Sequence, residues 1–159
     1  LKRTMSALCK NKPGVLADLA SEFGKCDANI LSLAAGETEN PEVSRIVVRL
    51  EGDDTAIDAA EQFLRNMEGI IQLDDLSRKD FVDRELVMIK IAMDPASTSQ
   101  LMQIFEVFRA TVVGMGEKTI TVELSGDQER IEGLMQMVKP YGIKSMCRSG
   151  MIALKRGDD

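Results

Sequence analysis

Val43-Ser44-Arg45-Ile46-Val47-Val48-Arg49-Leu50 runs into Glu51-Gly52-Asp53-Asp54-Thr55, and the same order returns 74 residues later, where Lys118 to Leu124 runs into Ser125-Gly126-Asp127. The apolar and β-branched run predicts a strand. Gly-Asp predicts a turn and a helix N-cap, because a short side-chain oxygen can accept a first-turn N–H. Working outward, Thr4 to Leu8 and Ala28 to Ala35 read as strands, with Ile30 and Leu31 both eligible for the inward face. Between them Val15, Leu16, Leu19, Ala20 and Phe23 recur at helical spacing. Ile57, Ala60, Leu64 and Met67 form a second stripe that stops at Gly69, and Ile70 to Leu76 is the last strand of the first half.

The second half repeats this order. Glu85 to Met93 predicts a strand, with Val87, Ile89 and Ile91 on one face and Leu86, Met88, Lys90 and Ala92 on the other. Leu101, Ile104, Phe105 and Phe108 mark a helix. Thr111 to Met115 and Lys118 to Leu124 form a hairpin about Gly116-Glu117. Ile131, Leu134, Met135 and Val138 mark another helix, which stops at Pro140 to Gly142. Ile143 to Cys147 and Met151 to Leu154 close as strand. The expected fold class is therefore α+β, two tandem ferredoxin-like βαββαβ domains, each an antiparallel sheet with two helices on one face. The boundary falls at Leu76-Ser77-Arg78-Lys79-Asp80, which divides the chain into 1–77 and 78–159. The uncovered sheet faces and edge strands predict association.

Composition removes whole classes of chemistry. The 159 residues include no histidine, so Ser-His-Asp triads, imidazole bases and histidine metal sites are excluded. Cys9, Cys26 and Cys147 make no C-x-x-C pair and read as reduced, mostly buried thiols. There is no Trp and one Tyr, and 20 basic against 26 acidic residues leave a net charge of -6; nucleic acid and anionic membrane are disfavoured partners. Residues 1–77 carry 8 basic and 14 acidic side chains, and residues 78–159 carry 12 of each. No apolar run reaches the roughly 18–20 residues of a membrane span, and Leu1-Lys2-Arg3-Thr4 leads into no signal-peptide core; a cytoplasmic protein is expected.

A few residues carry candidate chemistry. Asn11-Lys12-Pro13-Gly14 opens a helix, where free N–H groups and the positive dipole end can hold a carboxylate. Gly14 permits close approach, and the Asn11 amide adds a donor or acceptor. Asn29 either caps a turn or faces a polar ligand. Asp53-Asp54 and Asp74-Asp75 read as capping or solvated acids. Gly114-Met115-Gly116-Glu117-Lys118-Thr119 reads as a hairpin turn, because a phosphate loop needs another spacing and a following helix. Lys139, Lys144, Arg148, Lys155 and Arg156, with no acid among them, form either a solvated strand face or a patch for an acidic partner. The ten methionines read mainly as core filler. Nothing pairs a nucleophile with a base, so the chain is expected not to be an enzyme.

Taken in order, Asn11-Lys12-Pro13-Gly14-Val15-Leu16, Asn29-Ile30, Ser32-Leu33, Ser44-Arg45, Glu51-Gly52-Asp53-Asp54, Arg84-Glu85-Leu86, Ile89-Lys90, Ile104-Phe105, Phe108-Arg109-Ala110, Pro140-Tyr141-Gly142-Ile143-Lys144, Arg148-Ser149-Gly150, Ala153-Leu154 and Arg156-Gly157 resemble the small regulatory subunits of acetolactate synthase (acetohydroxyacid synthase). The resemblance spans nearly the whole chain and implies an ACT effector-binding domain at 1–77 and a C-terminal small-subunit domain at 78–159. It implies a homodimer through the ACT domains and a catalytic large subunit as partner, whose activity the chain raises. It also implies feedback inhibition by valine, or by leucine or isoleucine, in branched-chain amino acid biosynthesis. Thiamine diphosphate, FAD and Mg2+ are then expected only in that partner, with no cofactor or metal in this chain. The effector site implied is Asn11, Lys12, Pro13, Gly14, Val15 and Leu16 facing Asn29 and Ile30 of a second chain. Asp27, Ala28 and Leu31 depart from the family's usual Gly-aromatic pair and following glutamate, and Lys10 stands where an acid is common; Leu31 in the acid's place bears on effector selectivity, the dimer seam or contact with the catalytic subunit. The alternative reading is a stand-alone ACT-type amino-acid sensor regulating another enzyme.

Overall fold

The computed structural model describes residues 1–158. Its elements alternate as the patterning requires: β1 (Lys2–Lys10), α1 (Val15–Lys25), β2 (Asn29–Glu37), β3 (Val43–Glu51), α2 (Asp54–Asn66) and β4 (Ile70–Asp75), then β5 (Phe81–Ala92), α3 (Thr98–Phe108), β6 (Thr111–Met115), β7 (Thr119–Gly126), α4 (Gln128–Val138), β8 (Ile143–Arg148) and β9 (Ile152–Lys155). Strand order is β2-β3-β1-β4 in one sheet and β6-β7-β5-β8 in the other, with β9 also pairing β5. Each sheet is antiparallel and each four-strand order is the ferredoxin-like one. Asp53 and Asp127 cap α2 and α4 as expected, accepting from the Ala56 and Arg130 N–H groups at 2.7 and 2.9 Å. Gly69 and Gly142 sit after their helices at φ +96° and +98°, a region other residues enter at a cost.

In the first unit β1 and β3 turn Met5, Ala7, Cys9, Ile46, Val48 and Leu50 toward α1 and α2, where Leu19, Phe23, Ile57, Ala60 and Leu64 meet them. Burying one such side chain fully stabilises the fold by about 1.5–3 kcal/mol. In the second unit Val87, Ile89 and Ile91 of β5 and Ile120, Val122 and Leu124 of β7 pack on Leu101, Phe105, Ile131, Leu134 and Val138. Leu86 and Met88 stay exposed on the opposite face, as the alternation predicts.

The compact units are Leu1–Val82 with Met151–Asp159, and Asp83–Gly150. The chain thus returns its last residues to the first unit instead of keeping all of 78–159 together. The physical reason is a small apolar cluster. Val47, on the sheet face away from the helices, is covered by Leu76, Phe81, Met151 and Ala153. Asp80 and Arg156 tie this return down through a backbone bond of 2.9 Å and an ion pair of 3.1 Å. Part of the first sheet's open face is therefore closed by the chain's own end.

The methionine expectation holds for six of the ten side chains, and the reading of the basic stretch changes. Of the methionines, Met5 and Met151 are buried and Met67, Met93, Met102 and Met135 pack partly on the cores, but Met88, Met115, Met137 and Met146 are exposed. The basic stretch is not a free patch. Arg148 pairs with Glu85 and Glu132, Lys155 with Asp74 at 3.7 Å, and Arg156 with Asp80. Only Lys139 and Lys144 lack a carboxylate partner among the described residues. Asp74 is half-buried, which by itself would raise its pKa; the Lys79 hydrogen bond and the charges of Lys155 and Lys79 outweigh this and hold it below the usual carboxylate range.

Cys9 and Cys26 are buried, and desolvation pushes both thiols up, whereas Cys147 is exposed on β8. Since the thiolate is the reactive form, iodoacetamide at neutral pH is expected to modify Cys147 in the folded protein and to reach Cys9 and Cys26 only after denaturation. Peptide mass mapping before and after denaturation checks this.

Candidate functional site

The residues from Asn11 to Leu16 form one turn at the end of β1. The Asn11 N–H donates to the Glu42 carbonyl at 2.8 Å, and its side-chain amide donates to the Pro41 carbonyl at 2.9 Å. That fixes the amide and leaves its Oδ1 as an acceptor with no hydrogen bond among the described residues. The Lys12 N–H folds back on the Lys10 carbonyl at 3.0 Å. Pro13 has no N–H, and Gly14 takes φ +92° as the residue before the helix, with no side-chain cap. Val15 packs on the core and touches the space a Cβ on Gly69 would enter, which pins the turn to the start of β4.

The first regular helical bond of α1 runs from the Asp18 N–H to the Gly14 carbonyl at 2.9 Å. The N–H groups of Leu16 and Ala17 precede it and make no bond among the described residues. Two adjacent free donors, the dipole end and a glycine with nothing within 4 Å of its Cβ position make an open seat for a carboxylate. The Lys12, Pro13 and Leu16 side chains are exposed around it.

Asn29 and Ile30 lie elsewhere. The register pairs Asn29 with Glu51 and Glu51 with Lys2, whereas Asn11 follows Lys10, which pairs with Val43. From Val43 to Glu51 is eight strand steps, about 27 Å. Within one chain the two halves of the sequence-derived site therefore stand at opposite ends of the sheet. Asn29 is exposed, with no side-chain hydrogen bond among the described residues. Ile30 is half-buried and packs on the first core.

β2 is an edge strand, paired among the described residues with β3 alone. Its register shifts between Ile30 and Ser32, so Leu31 is an extra residue in the ladder. Ile30, opposite Leu50, takes the inward position, and Leu31 is left 38% exposed. The Ser32 hydroxyl beside it is closed off from solvent without a hydrogen-bond partner. Alternation alone leaves Ile30 and Leu31 both eligible for the inward face, because the bulge adds a residue that breaks the period of two.

Comparison with known proteins places both units. Residues 5–72 match the model of the AHAS small subunit-like ACT domain, and residues 84–157 match that of the small subunit of acetolactate synthase. An acetolactate synthase small subunit of Mycobacterium bovis is 35% identical over 154 residues, covering 97% of this chain and 92% of its own. One from Bacillus subtilis is 35% identical over 159 residues, covering 99% of this chain and 92% of its own. The crystal structure of the acetolactate synthase small subunit from Thermotoga maritima superposes with a TM-score of 0.84 at 26% identity, covering 100% of this chain and 99% of that one.

Proposed function

The chain belongs to the acetolactate synthase small-subunit family, and on that premise we propose that it raises the activity of a catalytic large subunit and carries its feedback switch. The effector is a branched-chain amino acid, with valine first among the candidates. Thiamine diphosphate, FAD and Mg2+ belong to the catalytic partner, which performs the chemistry. The site forms between two copies of the first unit.

The observation that carries this reading is the separation of Asn11 from Asn29 along one sheet. A β2 strand that pairs antiparallel with β2 of a second copy about its midpoint, Leu33, sets Asn29 beside the other copy's Glu37. That is the end of the sheet from which Asn11 to Leu16 leaves. The ligand carboxylate then sits on the Leu16 and Ala17 N–H groups, and its ammonium meets the Asn11 Oδ1. Asn29 closes the site from the other chain, and Leu16 offers aliphatic surface. Binding that favours one arrangement of the dimer is coupled to the catalytic subunit, with a coupling of about 1–3 kcal/mol.

The test is reconstitution with the cognate catalytic subunit, following acetolactate formation with and without valine, leucine and isoleucine. Activation together with inhibition by at least one of them is the expected result. No change in rate under any condition would sink the proposal. Asn29→Ala separates site from fold. Its side chain is exposed and unbonded, so stability should move by less than about 0.5 kcal/mol. A lost hydrogen bond to a charged ligand group, about 1.5–3 kcal/mol, should weaken effector binding roughly tenfold or more by calorimetry.

A further inference from the structure

The resemblance marks Leu31 as a departure from the family pattern without giving it a contact in the effector site, and three features of β2 converge on it. It is the residue added by the bulge between Ile30 and Ser32. It is a large aliphatic side chain, 38% exposed, on the strand edge that has no partner. And the neighbouring Ser32 hydroxyl is sealed without a hydrogen bond. A bulge forfeits ladder bonding and a sealed hydroxyl forfeits water, so neither stabilises an isolated domain. Bulges of this kind recur beside binding sites, where they re-aim a side chain.

Burial limits the aliphatic surface left for a ligand. Val15 and Ile30 are half-buried and pack on the first core, so each offers only part of its side chain. The exposed aliphatic side chains of the two candidate segments are Leu16, two residues past Gly14, and Leu31, two residues past Asn29. Two strand steps are about 7 Å, which is within the reach of a leucine side chain beside a ligand held by Asn29.

We infer that Leu31, turned out by the bulge, forms the end wall of the effector's side-chain pocket from the second chain and sets which branched aliphatic amino acid the site accepts. The inference rests on the two-chain site proposed above. Its chemistry is apolar and directional. The wall touches the far end of the ligand side chain and leaves the carboxylate and ammonium contacts alone. Discrimination should therefore change with ligand length, at up to the roughly 10- to 200-fold that one methylene can supply in an apolar pocket.

The experiment is calorimetric titration of the full chain with alanine, valine, isoleucine and leucine, for the wild type, Leu31→Ala and Leu31→Met. Leu31→Ala is expected to shift the ratio of leucine to valine affinity about tenfold or more toward leucine. Alanine, too short to reach the wall, should keep its affinity. Leu31→Met, which restores the volume, should bring the ratio back toward wild type. A uniform loss across all four ligands would make Leu31 a dimer-seam residue and overturn the inference while the site reading stands. An unchanged ratio overturns it as well. If no aliphatic amino acid binds the wild type, the two-chain site fails and the inference falls with it.

Discussion

Gly14→Asp is expected to abolish the effector response while leaving the protein folded and still able to activate the catalytic subunit. The glycine sits at φ +92° with nothing within 4 Å of its Cβ position. A side chain there meets no wall, and the cost is conformational, about 1–2 kcal/mol for a residue forced into left-handed backbone. Aspartate is among the residues that bear this best. The functional cost has another origin. A carboxylate at the N-cap is attracted to the same dipole and can accept from the same Leu16 and Ala17 N–H groups that would hold the ligand. The variant fills the seat from within and opposes a second negative charge. Losing those contacts and adding the repulsion should exceed about 3 kcal/mol, more than a hundredfold in Kd. Gly14→Ala is the discriminating control. It carries the same backbone strain without the charge, and should retain binding within about tenfold. Calorimetry on both variants, with Tm alongside, checks the argument; equal losses in the two would mean the carboxylate seat lies elsewhere.

Most of the fold was legible because its determinants are local. The stripe Leu19 and Phe23, the alternation Val87, Ile89 and Ile91, and the caps Asp53 and Asp127 each name an element from neighbours within a few residues, and the 74-residue echo of the Gly-Asp turn named the duplication. What stayed hidden was long-range or non-periodic. Met151 to Leu154 reads as strand and the structure has strand at Ile152–Lys155, but an alternating strand says only that one face is apolar, not which sheet it will cover. The basic run from Lys139 to Arg156 looked unopposed because its acids, Glu85, Asp74 and Asp80, lie far back in the chain. The choice of Ile30 over Leu31 for the inward position is not legible because a bulge has no signature in the hydrophobic period. The same limit applies to the candidate site. Asn11 to Leu16 could be read as a helix-start carboxylate seat from residue types alone, and Asn29 as a polar residue at a strand start. Only the strand register shows that one chain holds them about 27 Å apart.

Arg148→Ala is the substitution expected to cost the most stability. Glu85 begins the core stretch of β5 and its side chain is only 6% exposed. The Arg148 Nε on the neighbouring β8 donates to Glu85, and its Nη1 reaches Glu132 at 3.3 Å. Burial opposes the charge of the guanidinium, and the bonds to Glu85 and Glu132 more than offset this, which holds its pKa above the ordinary arginine value. The pair as a whole contributes little net stability, since desolving two charges costs about what their attraction returns. Truncating one partner is different: it leaves the Glu85 carboxylate buried without its cation, at about 3–5 kcal/mol. The loss should fall in the transition of the unit that spans Asp83–Gly150. Removing the charge as well, in Arg148→Ala with Glu85→Gln, should recover more than half of the deficit, because a neutral amide is far cheaper to bury. Glu132→Ala should cost less than about 1 kcal/mol, since that carboxylate is 45% exposed and its pairing is screened. Urea unfolding of the three variants measures the ordering. If Arg148→Ala and Glu132→Ala prove equally mild, Glu85 is finding water or another donor, and the β5–β8 pair is not what neutralises it.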